Sequence, residues 1–166
     1  GVSWNSATVN ISKPELATSI AYEVKKDGTT VASAAEATEE FSQEFTEVGS
    51  YTVTASATNG TDSKVAEEVS FEIKSGSVAS IAELLEKGPQ SNTATFKFTR
   101  PLTVTYANGK NVYVRDSAGD ALLIFNSTSV ALNNGDVLPA GVAGTYTLFK
   151  NNIPELVTAS LPEASA

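Results

Sequence analysis

A run of alternating apolar and polar residues from Thr95 to Phe125 restricts this chain more than any other feature. The run is TFKFTRPLTVTYANGKNVYVRDSAGDALLIF, and such alternation is typical of half-buried strands. Its Asn108-Gly109 pair predicts a tight hairpin turn of type I′, because both central positions of that turn need positive φ. The run therefore predicts three consecutive strands. A proline in the long first strand (Thr95–Tyr106) favours a small curved barrel over a flat sheet.

The first half of the chain carries short apolar-alternating segments at regular spacing, each bounded by turn residues. This pattern predicts a β-sandwich of about seven strands. Residues 2–11 are expected to form the first strand. The alanine- and acid-rich segment Ala34–Glu40 is expected to be either a loop or a single helical turn. Tyr51 occupies the position of the structural corner tyrosine of sandwich domains.

Ser75-Gly76-Ser77 is the expected boundary between two domains, residues 1–75 and 76–166, because it is small, polar and followed by a change in periodicity. Ser80 and Glu83 then form a capping box, which predicts one short helix that ends at Gly88-Pro89. Five strands with one helix are the element count of an OB-type barrel. Residues 162–166 are expected to be a frayed tail or a linker.

Composition excludes several kinds of catalyst. The chain has no cysteine, no histidine and no methionine, which removes Ser-His-Asp and Cys-His sites and zinc thiolate centres. Residues 1–75 hold five lysines against twelve acids, a net charge of −7, whereas residues 76–166 hold six cations against seven acids, a net charge of −1. We therefore expect no enzymatic activity, no cofactor and no metal. The total charge of −8 also disfavours a nucleic-acid partner.

Two acidic residues raise the alternative of a calcium site in place of a simple turn. Asp116 and Asp120 flank a short glycine turn, where carboxylates and carbonyls hold calcium in some proteins. The spacing lacks the aspartate ladder of an EF-hand, and an aspartate in a turn commonly accepts hydrogen bonds from its own backbone. The turn interpretation is therefore favoured.

Four residues of the hairpin region form the candidate ligand site: Arg100, Tyr106, Tyr113 and Arg115. Aromatic rings interleaved with cations suit stacking on sugars or bases, and the corresponding strands form the binding face of OB-folds. Lys97 and Lys110 add positive charge nearby. The alternative is an ordinary polar outer face.

The second half resembles the OB-like modules of Bacteroides-type cell-surface lipoproteins in three segments: SIAELLEKG, NVYVRDSAGDALLIF and NNGDVLPAGVAGTY. The first half resembles the Ig-like or PKD-like modules that precede them, through the Gly-x-Tyr-x-Val-x-Ala run at residues 49–55. The resemblance implies an all-β fold, with an Ig-like β-sandwich followed by a five-stranded OB-like barrel and one short helix. It also implies export to the outer-membrane surface or beyond, and a lipid anchor on a cysteine that this chain does not contain.

These expectations combine into a non-catalytic binding or spacer module of a surface lipoprotein, with a glycan or a protein as ligand. Single-stranded nucleic-acid binding through the OB-like face is the alternative, and an accessory role in a larger secreted hydrolase is the third. The oligomeric state is left open by the sequence.

Overall fold

The computed structural model describes residues 1–90 and 95–166. Strands make up 56% of the chain and helix 4%, which confirms the predicted all-β class. Contacts between Cα atoms divide the chain into two compact units, Gly1–Ser75 and Gly76–Ala166.

The first unit contains eight strands with alternating inward and outward residues. They are β1 (Val2–Trp4), β2 (Ala7–Ile11), β3 (Ser19–Lys26), β4 (Thr29–Ala37), β5 (Phe41–Phe45), β6 (Gly49–Asn59), β7 (Asp62–Val65) and β8 (Val69–Lys74).

Two sheets of unequal size build this unit. The larger has the order β1-β8-β6-β3-β4, with β7 pairing along the far part of β6, and the smaller contains only β2 and β5. Between them lies a buried cluster of Val9, Val24, Phe45, Tyr51, Val53 and Ile73. Apolar side chains on one face of each sheet therefore supply the core, as in other packed sheets.

Two expectations about this unit were wrong in detail. Residues 2–11 form two strands in different sheets, because the chain turns at Asn5, whose φ is +70°. The segment Ala34–Glu40 is neither a loop nor a helical turn at its start, since β4 continues through Ala37. Ala34 pairs with Tyr22 and Ala37 with Ile20. Pairing with β3 thus overrides the helical preference of alanine.

The second unit contains one helix among its described residues. The expected long first strand, Thr95–Tyr106, is interrupted by a bend before Pro101, and its two parts pair with different strands. The elements of this unit are β9 (Ser77–Val78), α1 (Ile81–Lys87), β10 (Thr95–Phe98), β11 (Leu102–Asn108), β12 (Asn111–Arg115), β13 (Ala121–Asn126), β14 (Val137–Leu138), β15 (Ala143–Phe149) and β16 (Ile153–Thr158).

The predicted capping box is present at the start of α1. Ser80 Oγ accepts a hydrogen bond of 3.1 Å from the Glu83 backbone N–H. The Glu83 carboxylate in turn accepts one of 2.7 Å from the N–H of Ala79, one residue before the position that a standard capping box satisfies. Gly88 ends the helix with φ at +75°.

One sheet holds the eight described strands of the second unit in the order β14-β11-β12-β13-β16-β15-β10-β9, and it curls into half a barrel. Strands β11, β12 and β13 form an antiparallel meander. Strand β16 then pairs in parallel with β13, and β15 pairs antiparallel with both β16 and β10. The inner face is fully buried at Phe96, Phe98, Leu102, Val104, Val112, Val114, Ile124 and Leu156.

Two further expectations need correction. The hairpin turn is displaced by one residue, because Asn108 still pairs with Asn111 and the central residues are therefore Gly109 and Lys110. Only Gly109 has positive φ (+62°), as a type II′ turn requires instead of the expected type I′. Residues 162–166 do not fray, since Ser165 exchanges backbone hydrogen bonds of 2.7 and 2.9 Å with Val137.

Candidate functional site

Two exposed tyrosines on neighbouring strands form the centre of the candidate site. Tyr106 of β11 pairs with Tyr113 of β12, and their ring centroids lie 6.0 Å apart with an interplanar angle of 43°. Tyr106 is 57% exposed and Tyr113 is 45% exposed. Two rings of this size and exposure give a ligand a broad, adjustable aromatic surface.

A β-bulge at Thr105 places both rings on the same face. Val104 pairs with Val114, and both are fully buried, but the next pair along the two strands is Tyr106 with Tyr113. Two residues of β11 therefore advance against one residue of β12, as in a bulge. Without this extra residue, Thr105 would lie opposite Tyr113, and Tyr106 would point inward with Val104. The Thr105 hydroxyl donates a hydrogen bond of 3.1 Å to the Tyr113 carbonyl, which closes the bulge.

The two arginines of the candidate site stand in different positions. Arg115 follows Tyr113 by two residues on β12, so its side chain shares the outer face, and it is exposed. Arg100 is also exposed but lies in the bend before Pro101, outside the regular strands. Within the described ranges, neither guanidinium has a salt-bridge partner. The strand register therefore places Tyr106, Tyr113 and Arg115 on one face, whereas Arg100 lies outside these strands.

The outer face continues over β13 and β16 with apolar side chains that sequence reasoning missed. Leu123 lies beside Tyr113, and Phe125 lies beside Asn111 on one side and Val157 on the other. Leu123 is buried, while Phe125 and Val157 remain partly exposed. The signal was present in the alternation of β13 and β16, but only their parallel pairing shows that these residues extend the tyrosine surface. We call Tyr106, Tyr113, Leu123, Phe125 and Val157 the tyrosine face.

One acidic side chain interrupts this surface. Glu155 pairs with Leu123 on one side and with Thr147 on the other, and it is only 7% exposed. Desolvation raises the pKa of its carboxyl above the ordinary value of 4.5. Among the residues that the structure describes, no cation forms a salt bridge with it. A bound ligand that offers a donor or a positive charge would compensate this carboxylate.

The contacts of Asp116 match the turn interpretation. Its Oδ1 accepts hydrogen bonds of 3.0 Å from the backbone N–H groups of Ala118 and Asp120. Its Oδ2 accepts one of 2.9 Å from the N–H of Ile81 at the start of α1. Both carboxylate oxygens therefore accept hydrogen bonds from backbone N–H groups. Over residues 1–90 and 95–166, no group of three or more acidic, histidine or cysteine side chains is placed to hold a metal ion.

Comparisons with known proteins add no relative to this picture. No protein family, curated protein or solved structure matches the chain. In the part of the chain that the structure describes, no helix is both long and apolar enough to cross a membrane.

Proposed function

We propose that this chain is a non-catalytic binding module of an exported bacterial surface lipoprotein, and that the tyrosine face binds a glycan or a protein. The observation that carries the proposal is the pair of exposed rings of Tyr106 and Tyr113, whose centroids lie 6.0 Å apart on the two strands of a hairpin. Contiguous apolar patches that are large for a monomeric domain mark sites of interaction. Tyrosine and arginine together are the residues most enriched in binding hot spots.

The finer fold assignment belongs to the same proposal. An OB-like barrel for the second unit is supported by its meander, by the parallel pairing of β13 with β16 and by the return of β15 to β10. An Ig-like sandwich for the first unit is supported by Tyr51, whose hydroxyl donates a hydrogen bond of 2.9 Å to the carbonyl of Glu47. A buried tyrosine bonded to the backbone a few residues upstream is the corner tyrosine of such domains.

Charge guides the choice of ligand class. The chain carries −8 overall, so a polyanion is repelled at distances up to about a Debye length, roughly 8–10 Å at physiological salt. The tyrosine face itself is apolar around Leu123, Phe125 and Val157, with the buried acid Glu155 among them. An uncharged glycan, or a protein surface with an apolar centre and a donor for Glu155, complements this arrangement.

Single-stranded nucleic acid is the second candidate, and one observation favours it. Arg100, Lys110 and Arg115 are exposed cations close in sequence to the tyrosine pair, and within residues 1–90 and 95–166 none of them forms a salt bridge. Cations beside stacking rings are the usual surface for single strands. Binding of this kind weakens steeply as salt rises.

The test is a paired screen of the wild-type chain and Tyr113→Ala. Both are applied to an immobilised glycan array, to a peptide-display library and to a fluorescent oligothymidylate. Ligands that bind the wild type and are lost in the variant support the tyrosine face. Leu85→Ala is the matched control, because Leu85 is an exposed apolar residue on α1 of the same unit. Equal binding by the wild type and Tyr113→Ala would contradict the proposal.

A further inference from the structure

The first unit has an apolar groove where its smaller sheet lacks a third strand. Strand β2 pairs with β5 along one edge only, while the facing sheet has six strands. A groove of about 460 Å³ remains beside β2. Its apolar lining includes Ile11, Ile20, Val53, Ala55, Ala57 and Val69.

Val69 shows that this part of the larger sheet is uncovered. It pairs with Val53 across β8 and β6, so both side chains belong to the inner face that β2 and β5 cover. Val53 is buried, yet Val69 is 57% exposed. Further along the same strand, Phe71 is half-buried and Ile73 is fully buried. The inner face of the larger sheet therefore extends beyond the small sheet, and its outermost residue, Val69, is exposed to solvent.

The groove lies along an unpaired strand edge. Its border on the small sheet is formed by Asn10 and Ile11, the last two residues of β2, and by Ser12 directly after them. Consecutive residues of a strand point to opposite faces, so a cavity that touches both Asn10 and Ile11 borders the edge of the strand. Among the described residues, β2 has no backbone partner on this edge. An apolar floor beside free N–H and C=O groups is the arrangement that accepts an added strand.

Charge indicates the chemistry of that strand. Four acids of the first unit, Glu23, Asp27, Glu47 and Glu72, form salt bridges with lysines. The other eight of its twelve acids have no salt-bridge partner within the described ranges. Glu67 is one of them, and it lines the groove together with Lys64, so the attraction for a cation comes from the net charge of −7 on residues 1–75 rather than from the groove wall itself. A positively charged segment is attracted to this unit, whereas a second copy of the chain, with a charge of −8, is repelled.

We propose that the groove is a second binding site, separate from the tyrosine face, for an extended cationic segment of another polypeptide. The segment adds to β2 as the third strand of the small sheet. Its inward residues are apolar and cover Val53 and Val69, and its outward residues are lysine or arginine. Backbone hydrogen bonds give such a strand its affinity, and the alternate side chains give its specificity.

The experiment uses the whole chain and three synthetic heptapeptides. The first alternates lysine and valine, the second alternates glutamate and valine, and the third is the lysine peptide with every backbone nitrogen methylated. We expect only the first to bind, because the second is repelled and the third has no backbone donors. Its affinity falls as salt rises, since the attraction is screened. Amide hydrogen exchange in β2 slows when it binds.

Two variants with the same chemical change locate the site. Val69→Lys places a charge in the groove and is expected to weaken binding by at least about tenfold, because that charge must be desolvated. Val31→Lys is the matched control on β4, where the valine is 42% exposed, and binding is expected to stay unchanged. Both positions are exposed, so both variants are expected to fold.

Several results would overturn the proposal. One is the absence of binding by the lysine peptide, and another is equal binding by the glutamate peptide. A third is binding that is lost in Val31→Lys and kept in Val69→Lys, since this would place the added strand on β4. Sedimentation that shows a dimer of the chain, abolished by Val69→Lys, would assign the groove to a second copy and would also overturn it.

Discussion

The Asp116 carboxylate accepts a 2.9 Å hydrogen bond from the Ile81 backbone N–H, and so it ties the turn after β12 to the first residue of α1. The other carboxylate oxygen accepts two hydrogen bonds within the turn itself. One side chain therefore satisfies a free amide of the helix start and fixes the glycine turn that leads into β13. Since β12 and β13 carry the tyrosine face, this contact also holds the strands of the candidate site.

Two substitutions of Asp116 separate these contributions. Asp116→Ala removes all three hydrogen bonds and is expected to destabilise the second unit by about 1–3 kcal/mol. Asp116→Asn can keep the turn contacts through its carbonyl oxygen while it loses the contact with Ile81, so we expect about half that cost. Hydrogen exchange of the second unit measures both. Asp120→Ala is the control, because the exposed Asp120 side chain accepts no hydrogen bond from any described residue, and an equal loss there would contradict the assignment.

Tyr51 gives a prediction for the first unit. Its ring stacks on Phe71 at a centroid distance of 5.0 Å, and its hydroxyl bonds the Glu47 carbonyl. Tyr51→Phe keeps the ring and leaves that carbonyl unpaired, so we expect a loss of about 0.5–1.5 kcal/mol. Urea unfolding followed by the fluorescence of Trp4 measures the change. Tyr22→Phe serves for comparison, and a loss of the same size there would show that the corner contact is not responsible.

The burial of Glu155 leads us to expect that the stability of the second unit depends on pH. Burial raises the pKa of its carboxyl above 4.5 in the folded state, so folding favours the protonated acid. At pH values below the pKa of this carboxyl in the unfolded chain, the acid is protonated in both states and does not lower the free energy of unfolding. As the pH rises through the pKa of the folded state, the carboxyl ionises and the free energy of unfolding falls. Glu155→Gln is therefore expected to stabilise the second unit at pH 7 but not below pH 4.5. Denaturation at both pH values measures this, with the exposed Glu163→Gln as control. A gain that is equal at both pH values would contradict the titration.

The junction at residues 75–77 gives a fourth prediction. The two units divide between Ser75 and Gly76. Ser77 already belongs to β9 and Gly76 is buried, so the exposed Ser75 is the accessible point of this junction for a protease. We expect limited proteolysis to cut there and to leave two protected fragments. Cleavage only at the chain ends, with a single cooperative unfolding transition, would show that the units do not fold independently.

Local chemistry explains why much of the secondary structure was predictable. Ser80 and Glu83 specify a helix start through hydrogen bonds that span three residues, so their pattern is visible in the sequence. Asp27 and Gly28 specify a two-residue turn because both have positive φ, at +49° and +83°. The pairing of strands that lie far apart in the sequence has no such local pattern. The extension of β4 through Ala37 depends on Tyr22 and Ile20 of another strand.

The placement of Tyr106 beside Tyr113 on the outer face depends on the bulge in β11. Strict alternation puts Tyr106 on the same side as the buried Val104. The bulge at Thr105 reverses this, and no feature of the local sequence specifies it. Phe125 and Val157 are 32 positions apart in the sequence, so only the parallel pairing of β13 with β16 shows that they share a surface.

The most direct test of the tyrosine face is a calorimetric titration of a ligand from the screen into the wild type, Tyr113→Ala and Tyr106→Ala. Stacking contributes about 1–3 kcal/mol per ring. We therefore expect each variant to bind roughly 5–150 times more weakly, with the wild-type affinity nearly the same in low and high salt. Affinity that is unchanged in both variants would contradict the site, and affinity that falls steeply with salt would contradict the proposed ligand class.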